Sequence, residues 1–512
     1  MTPLLSRALR TRIPLYRPRP RCRLRRTPLF LTAGVLLSLT NPAHTRTRTM
    51  TTATASAAGG AGERARNVVV TEHKTPKSDL GVGEKLTRPA HHVDDTKTRF
   101  QNPWPSFRYP KTIYYFRALA QALGTLFTAS KVPNDLSARI PSRTPDWGAG
   151  RAPDGVKATW LGCVPYSALF ARISRVRRDR SHACFLVELP TPEGAARGPR
   201  ILFDPVLSHR CSPVQWMGPA RLLPTPCAAE DIPAVDAICI SHNHYDHMDV
   251  ATLRTVFRLH QPHVFAPLGN ARHLQAAGIP PSHIHVRDWW DASAVSLVLP
   301  PAPSSASAPA PADAGNTGGN EGDGKGSGPG IPASFSITCT PAQHTANRSA
   351  FDRWRTLWSS WVVSEDLPSA PSSPSSSPGA ESGSGRAPKR VYFAGDTGYR
   401  TVVEGEDEDA VPRCPAFREI GERFRGFDVA LLPIGAYHPR WMFSGVHASP
   451  SDAVEIFKDV HARRALAMHW GTWTLTMEPT MEPPELLRKE SARAGLEEGA
   501  FDVCGLGETR VF

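Results

Sequence analysis

At 512 residues the chain is long enough for two or three domains. Its formal charge of +13 is concentrated at one end: residues 1–50 hold eleven Arg and no Lys, Asp or Glu, leaving about +2 for the rest, which excludes a broadly basic surface for nucleic acid. The nine cysteines are scattered with no CxxC pair, which excludes a secreted disulfide framework and a cysteine-based zinc site.

The first segment, residues 1–62, is Arg-rich, contains Ser and Thr, and precedes the first acidic residue, Glu63. That composition predicts a mitochondrial transit peptide. The apolar run at residues 29–39 falls short of the roughly twenty residues that span a bilayer. A secretory signal is the competing reading, because a basic stretch precedes an apolar one. Against it, the basic stretch is unusually long, and Arg46 and Arg48 follow the apolar run. A start at Met50 would delete the signal and leave the protein cytoplasmic. Residues 63–99 read as a linker, and residues 100–512 as one catalytic domain.

Within that domain, Ala237-Ile238-Cys239-Ile240 is a short apolar run with β-branched residues and predicts a buried strand. Residues 249–260 carry apolar side chains at Val250, Leu253, Val256 and Phe257, the spacing of a helix. Between them lies Ser241-His242-Asn243-His244-Tyr245-Asp246-His247, three imidazoles and a carboxylate on a loop at a strand end. Imidazole and carboxylate are ligands for zinc-like ions, and a rigid strand end holds such a site to tolerance. A polar surface turn is the bland alternative, but the chain supplies every further ligand a metal site needs.

Two segments further on, residues 300–332 and 367–387, are built from Pro, Ala, Ser and Gly. They cannot bury enough apolar surface to fold and are expected to be disordered surface inserts. Each precedes a predicted strand. Residues 335–339 alternate like a strand and lead to His344; residues 390–394 lead to Gly395-Asp396-Thr397-Gly398; residues 464–468 lead to His469. Any one is weak, since Gly-Asp-Thr-Gly is ordinary turn chemistry. Four strand-end clusters spanning His242 to His469 must be closed by a single fold. Ser449 before Pro450 has the form of a helix N-cap with Pro at the first helical position, placing His447 just outside a helix.

HxHxDH, then His, then Gly-Asp-Thr-Gly, then His resembles the metallo-β-lactamase superfamily. Asn102-Pro103-Trp104-Pro105, Asp204-Pro205-Val206, Arg210-Cys211-Ser212-Pro213, Asp288-Trp289-Trp290, Thr340-Pro341-Ala342-Gln343-His344, Leu432-Pro433-Ile434-Gly435-Ala436-Tyr437 and Pro439-Arg440-Trp441-Met442 resemble its N-acyl-phosphatidylethanolamine-hydrolysing phospholipase D branch. The likeness covers roughly residues 100–512. It implies an α/β fold, an αββα metallo-β-lactamase sandwich with disordered inserts, and a binuclear site at one edge of two sheets. His242, His244 and His344 would form one site, and Asp246, His247 and His469 a second. Asp396 would bridge them, with two Zn2+ per chain. Asp204 and Asp249 are expected beside the ligands or in turns. Tyr245 and His447 are candidates for contacting the phosphate or leaving group and join Asp246 as the catalytic set, although Tyr245 also fits a packing role and His447 a helix-entry role.

The implied function is zinc-dependent phospholipase D hydrolysis of N-acyl-phosphatidylethanolamine to N-acylethanolamine and phosphatidic acid by a metal-bridging hydroxide. The implied partners are a phospholipid substrate and, through peripheral contact, a mitochondrial membrane, with no nucleic acid; oligomeric state has no sequence signature. The ligand set by itself would equally serve a lactonase or another phosphodiesterase. Trp289, Trp290, Trp441, Met442 and Phe443 fit an acyl-chain groove or ordinary core equally well. One departure stands out. Trp160-Leu161-Gly162 begins the branch's Trp-Leu-Gly-His-Ala segment, but residues 163–181 intervene with five Arg before His182-Ala183 resumes it. A retained intron in the gene model or a genuine loop would account for that stretch; a genuine loop would split a central hairpin and put five arginines near the site, leaving an inactive metal-binding homologue as an alternative reading.

Overall fold

The structure is a computed structural model that describes residues 68–73, 88–114, 116–117, 133, 135–148, 150, 152–162, 183–217, 225–303, 329–349, 351–366, 386–471 and 476–512. The expected targeting segment, residues 163–181, and most of both inserts lie outside the described residues. Residues 64–512 belong to one compact unit.

Fifteen strands are found among the described residues: β1 Val69–His73, β2 Lys157–Trp160, β3 Phe185–Glu188, β4 Arg200–Phe203, β5 Ala237–Cys239, β6 His263–Pro267, β7 Ile284–Arg287, β8 Ala292–Leu299, β9 Ile331–Thr340, β10 Ser360–Glu365, β11 Arg390–Phe393, β12 Phe427–Pro433, β13 Ala462–Met468, β14 Phe501–Asp502 and β15 Thr509–Val511. They form an eight-stranded sheet, β1-β8-β9-β10-β11-β12-β13-β14, and a seven-stranded sheet, β15-β2-β3-β4-β5-β6-β7. β4 to β7 run parallel, as do β11 to β14, and the remaining pairs are antiparallel.

Alternation along the strands builds the layers. In β5 and the residue after it, Ala237 and Cys239 join the large core cluster, whereas Ile238 and Ile240 join a second cluster with Leu253 and Val256 of the helix Val250–His260. In β4, Ile201 and Phe203 face the first cluster and Leu202 the second. The Phe203 ring stacks on Phe393 of β11 at 4.6 Å, so the two sheets meet face to face. Cutting either ring back to Ala would cost about 3–5 kcal/mol. Helix Pro450–Asp459 packs against β12 and β13 and supplies Ala453 and Ile456 to the core, and helix Ala416–Phe424, packed on that helix, adds Phe417 and Ile420. The result is the expected αββα sandwich.

Two boundaries differ from the sequence reading. The expected linker contributes β1, a Val-rich strand that extends the larger sheet beside β8; its β-branched side chains suit a pleated edge. β9 starts at Ile331, inside the expected insert, because residues 331–332 pair with β8. β2 and β3 pair on either side of residues 163–181 as one antiparallel hairpin.

Candidate metal centre

The seven predicted ligands come together, each from a strand end or the loop that follows. Asp249 caps the helix after the motif, accepting from Ala251 N at 3.1 Å, and binds the amides of Leu207 and Ser208. Gly395 has φ +60°, and a Cβ there would stand 2.6 Å from Ser241 Cβ, so only glycine lets the Asp396 turn approach the His242 loop this closely. His469 itself has φ +63°, a conformation disfavoured for a side chain and held by the packing around it.

The side chains sort into two groups with ligand atoms within 4.8 Å of one another: His242, His244 and His344; and Asp246, His247, Asp396 and His469. His242 Nε2 lies 2.8 Å from His244 Nδ1, which lies 3.4 Å from His344 Nε2. Asp396 Oδ1 is 2.8 Å from His469 Nε2, and its Oδ2 is 3.2 Å from His247 Nε2 and 3.8 Å from His344 Nε2. Asp396 thus reaches both groups.

Each imidazole is held by its outward nitrogen. His242 Nδ1 donates to Ser241 Oγ at 2.9 Å, whose own hydroxyl donates to Asp204. His244 Nε2 donates to Asn347 Oδ1 at 3.1 Å, His247 Nδ1 to Asp204 Oδ2 at 2.7 Å, His344 Nδ1 to the Val446 carbonyl at 2.8 Å, and His469 Nδ1 to the Gly435 carbonyl at 3.4 Å. These bonds fix the outward nitrogen of every ring and turn the other toward the centre, where His242, His244 and His344 present a lone pair. Burial also pushes His242 and His344 well below the usual imidazole range, keeping them neutral. Inward lone pairs 2.8–3.4 Å apart repel unless a cation lies among them. The donor set therefore fits metal ions, with Asp396 and Asp246 supplying negative charge.

The two other candidates differ in placement. His447 Nδ1 is buried without a hydrogen-bond partner, 3.8 Å from Asp396 Oδ2, and the ring stacks on His469 at 5.2 Å. Tyr245 is engaged by Arg348. Its hydroxyl donates to the Arg348 carbonyl at 3.2 Å, and the Arg348 guanidinium lies 4.0 Å from its ring. Arg348 also donates to the carbonyls of Asn243 and Met248, clamping the motif loop. Trp289 is core: it stacks on His91 and Trp104 and donates to the Trp358 carbonyl. Trp441 is buried against Tyr114, and Trp290 lies under the Arg423 guanidinium.

Asn347, Arg348 and the Val446 carbonyl carry no motif signal, and sequence reasoning missed them; Ser241 and Gly435 lie inside motifs, but nothing in the sequence marked the bonds they make. Sequence reasoning also missed a second cluster, His91, His92 and Asp288. There both rings donate to Asp288, at 2.8 and 3.0 Å, the Trp289 amide donates as well, and Lys97 Nζ lies 3.4 Å away. Every close approach is a donor to one carboxylate, with a cation already present. That is a clasp for residues 88–100, unlike the mutually repelling lone pairs of the main centre.

The Beta-lactamase superfamily domain matches residues 199–371 and 382–470. The N-acyl-phosphatidylethanolamine-hydrolyzing phospholipase D 1 of Caenorhabditis elegans is 30% identical over 360 residues, 69% of this chain and 75% of that protein. The mitochondrial N-acyl-phosphatidylethanolamine-hydrolyzing phospholipase D of Saccharomyces cerevisiae is 26% identical over 431 residues, 81% of this chain and 75% of that one. An uncharacterized protein of Mycobacterium tuberculosis is 31% identical over 293 residues, 57% of this chain and 59% of its own length.

Proposed function

Because the chain belongs to the metallo-β-lactamase superfamily, in its N-acyl-phosphatidylethanolamine-hydrolysing phospholipase D branch, we propose that it is a metal-dependent phosphodiester hydrolase that cleaves N-acyl-phosphatidylethanolamine to N-acylethanolamine and phosphatidic acid. The observation that carries this reading is Asp396, whose carboxylate stands 2.8 Å from His469, 3.2 Å from His247 and 3.8 Å from His344. One buried carboxylate within reach of two imidazole groups is suited to bridging a pair of ions.

Two Zn2+ per chain suit the imidazole-rich set, since magnesium prefers oxygen ligands. When bound, the pair supplies an activated water and positive charge against the phosphodiester oxygens. The residues do the rest. His242, His244 and His344 would hold one ion; Asp246, His247 and His469 would hold the other. Asp204 and Ser241 keep the rings in the tautomer that turns a lone pair inward. Burial pushes the His447 pKa down to about 4, so the ring is neutral at physiological pH and offers the departing alkoxide an N–H hydrogen bond. Tyr245 is assigned the packing role beside Arg348, which braces the motif loop.

A bilayer is the proposed source of substrate. Among the described residues, no helix is long and apolar enough to cross a membrane. Tyr109, Ile113, Phe116 and Phe351 are exposed, Phe351 to 91%, with Lys111 and Arg353 beside them in the chain. The Tyr109–Trp354 contact brings these two segments together. Apolar side chains with flanking cations suit peripheral contact with a lipid surface. A mitochondrial location is proposed from the arginines of residues 1–62, and the yeast relative's name includes the same organelle. A reporter fused to residues 1–62 should reach mitochondria; delivery to the secretory pathway would refute it.

The test of function is product analysis of the zinc-loaded protein with N-acyl-phosphatidylethanolamine, which should yield phosphatidic acid and N-acylethanolamine. Lactone or generic phosphodiester turnover without lipid turnover would refute the substrate assignment.

A further inference from the structure

We propose that Gln343 is the positioning residue that sets where the His447 ring stands over the metal centre. The inference rests on the reading of His447 as a group that contacts substrate. His447 Nδ1 is buried and makes no hydrogen bond. The ring is held by packing, stacked on His469 at 5.2 Å and edge-on to His344 at 5.2 Å, and by its backbone, which is pinned at the two residues before it. Two adjacent side chains, Gln343 and His344, donate to two adjacent carbonyls, Gly445 at 3.1 Å and Val446 at 2.8 Å, the two residues immediately before His447.

The orientation of the Gln343 amide is determined by its neighbours. The Gly445 carbonyl only accepts, so the NH2 group must face it. The amide oxygen is then left for the Ser106 hydroxyl, which donates to it at 2.5 Å. The Gln343 main chain completes the junction. Its N–H donates to Thr397 Oγ1 at 2.9 Å, and its carbonyl accepts from Gly398 N at 2.8 Å. Ala448 N in turn donates to the Thr397 carbonyl at 2.7 Å. A Cβ on Gly398 would stand 2.5 Å from the Gly445 carbonyl, so the two loops touch backbone to backbone. Gln343 is wholly buried at the point where the loops bearing His344, Asp396 and His447 meet. It touches none of the reacting groups; it acts through His447.

The experiment is a double-mutant cycle on the full chain loaded with zinc, assayed with N-acyl-phosphatidylethanolamine and with bis-p-nitrophenyl phosphate. Gln343→Met keeps the volume and removes both amide bonds. We expect unchanged zinc content, unchanged KM and a kcat lower by about ten-fold or more. In a His447→Ala background the same change should cost little further, because the ring it positions is gone. Ser106→Ala should lower kcat in the same direction by a smaller factor, and it takes the place of Gln343→Met if that variant fails to fold. An equal loss in both backgrounds, or loss of zinc in Gln343→Met, would overturn the proposal and assign Gln343 to the His344 loop alone. Wild-type turnover in His447→Ala would instead sink the reading of His447. Diester turnover without lipid turnover would sink the substrate assignment and leave the cycle readable.

Discussion

His247 Nδ1 donates to Asp204 Oδ2 at 2.7 Å, with both side chains fully buried. Asp204 also accepts from Ser241 N and Oγ, at 2.7 and 2.5 Å, and Ser241 Oγ accepts from His242 Nδ1. One carboxylate thus orients a ring in each imidazole group. Asp204→Ala should weaken metal binding about 10- to 100-fold, as is usual for a partner that fixes a ligand's tautomer. Because it reaches both groups, both sites should weaken in a chelator-competition titration. Weakening confined to one site would refute the shared role.

Asp396→Ala should lose most bound metal and nearly all activity, whereas His242→Ala should mainly empty one site. Elemental analysis of the purified variants measures both. Full metal occupancy with unchanged turnover in Asp396→Ala would end the binuclear reading.

Gly395→Ala places a side chain at φ +60° and 2.6 Å from Ser241 Cβ. The backbone term alone costs about 1–2 kcal/mol, and the clash must push the Asp396 turn away from the His242 loop. The variant should melt earlier and bind less metal. A melting temperature and metal content equal to wild type would show that the loops can separate freely.

Acid should destabilise the protein partly through two histidines remote from the centre. His263 Nδ1 lies 2.8 Å from His285 Nε2, and burial lowers their pKa values to about 4 and about 3. In the unfolded chain both titrate near the reference value of 6.5. Below pH 6.5 the unfolded state takes up protons that the folded state refuses, so stability is full above about 6.5 and falls as the pH drops toward 4. His285→Gln should flatten the fall in melting temperature between pH 7 and pH 5. An unchanged slope would mean that other groups carry it.

Hydrolysis in oxygen-18 water should place the label in phosphatidic acid, because the proposed attack is on phosphorus. Label in N-acylethanolamine would mean attack at carbon. A phosphatidyl-enzyme trapped on His447 would mean a covalent route. Either result would overturn the mechanism while leaving the ligand geometry standing.

Much of the centre was legible before folding. The strands ending near His242, Asp396 and His469 follow from short β-branched or apolar runs, the helix Val250–His260 from its apolar spacing, and the cap at Ser449 from Pro450. Such signals are local: a strand or helix end is encoded within a few residues of itself. β1 was less legible, because a lone Val-rich stretch becomes a strand only when β8 offers an edge. The His91–His92–Asp288 clasp was not legible, because its partners lie about two hundred residues apart.

The sequence by itself determined which residues are the candidate ligands, since imidazoles and carboxylates at four strand ends need only the strands to place them. Tertiary structure alone decided how they are held. The acceptors for His244, His344 and His469 are Asn347, Val446 and Gly435, and the last two act through main-chain carbonyls. A carbonyl is present at every residue and carries no sequence signature; only the approach of one loop to another selects the one that is used.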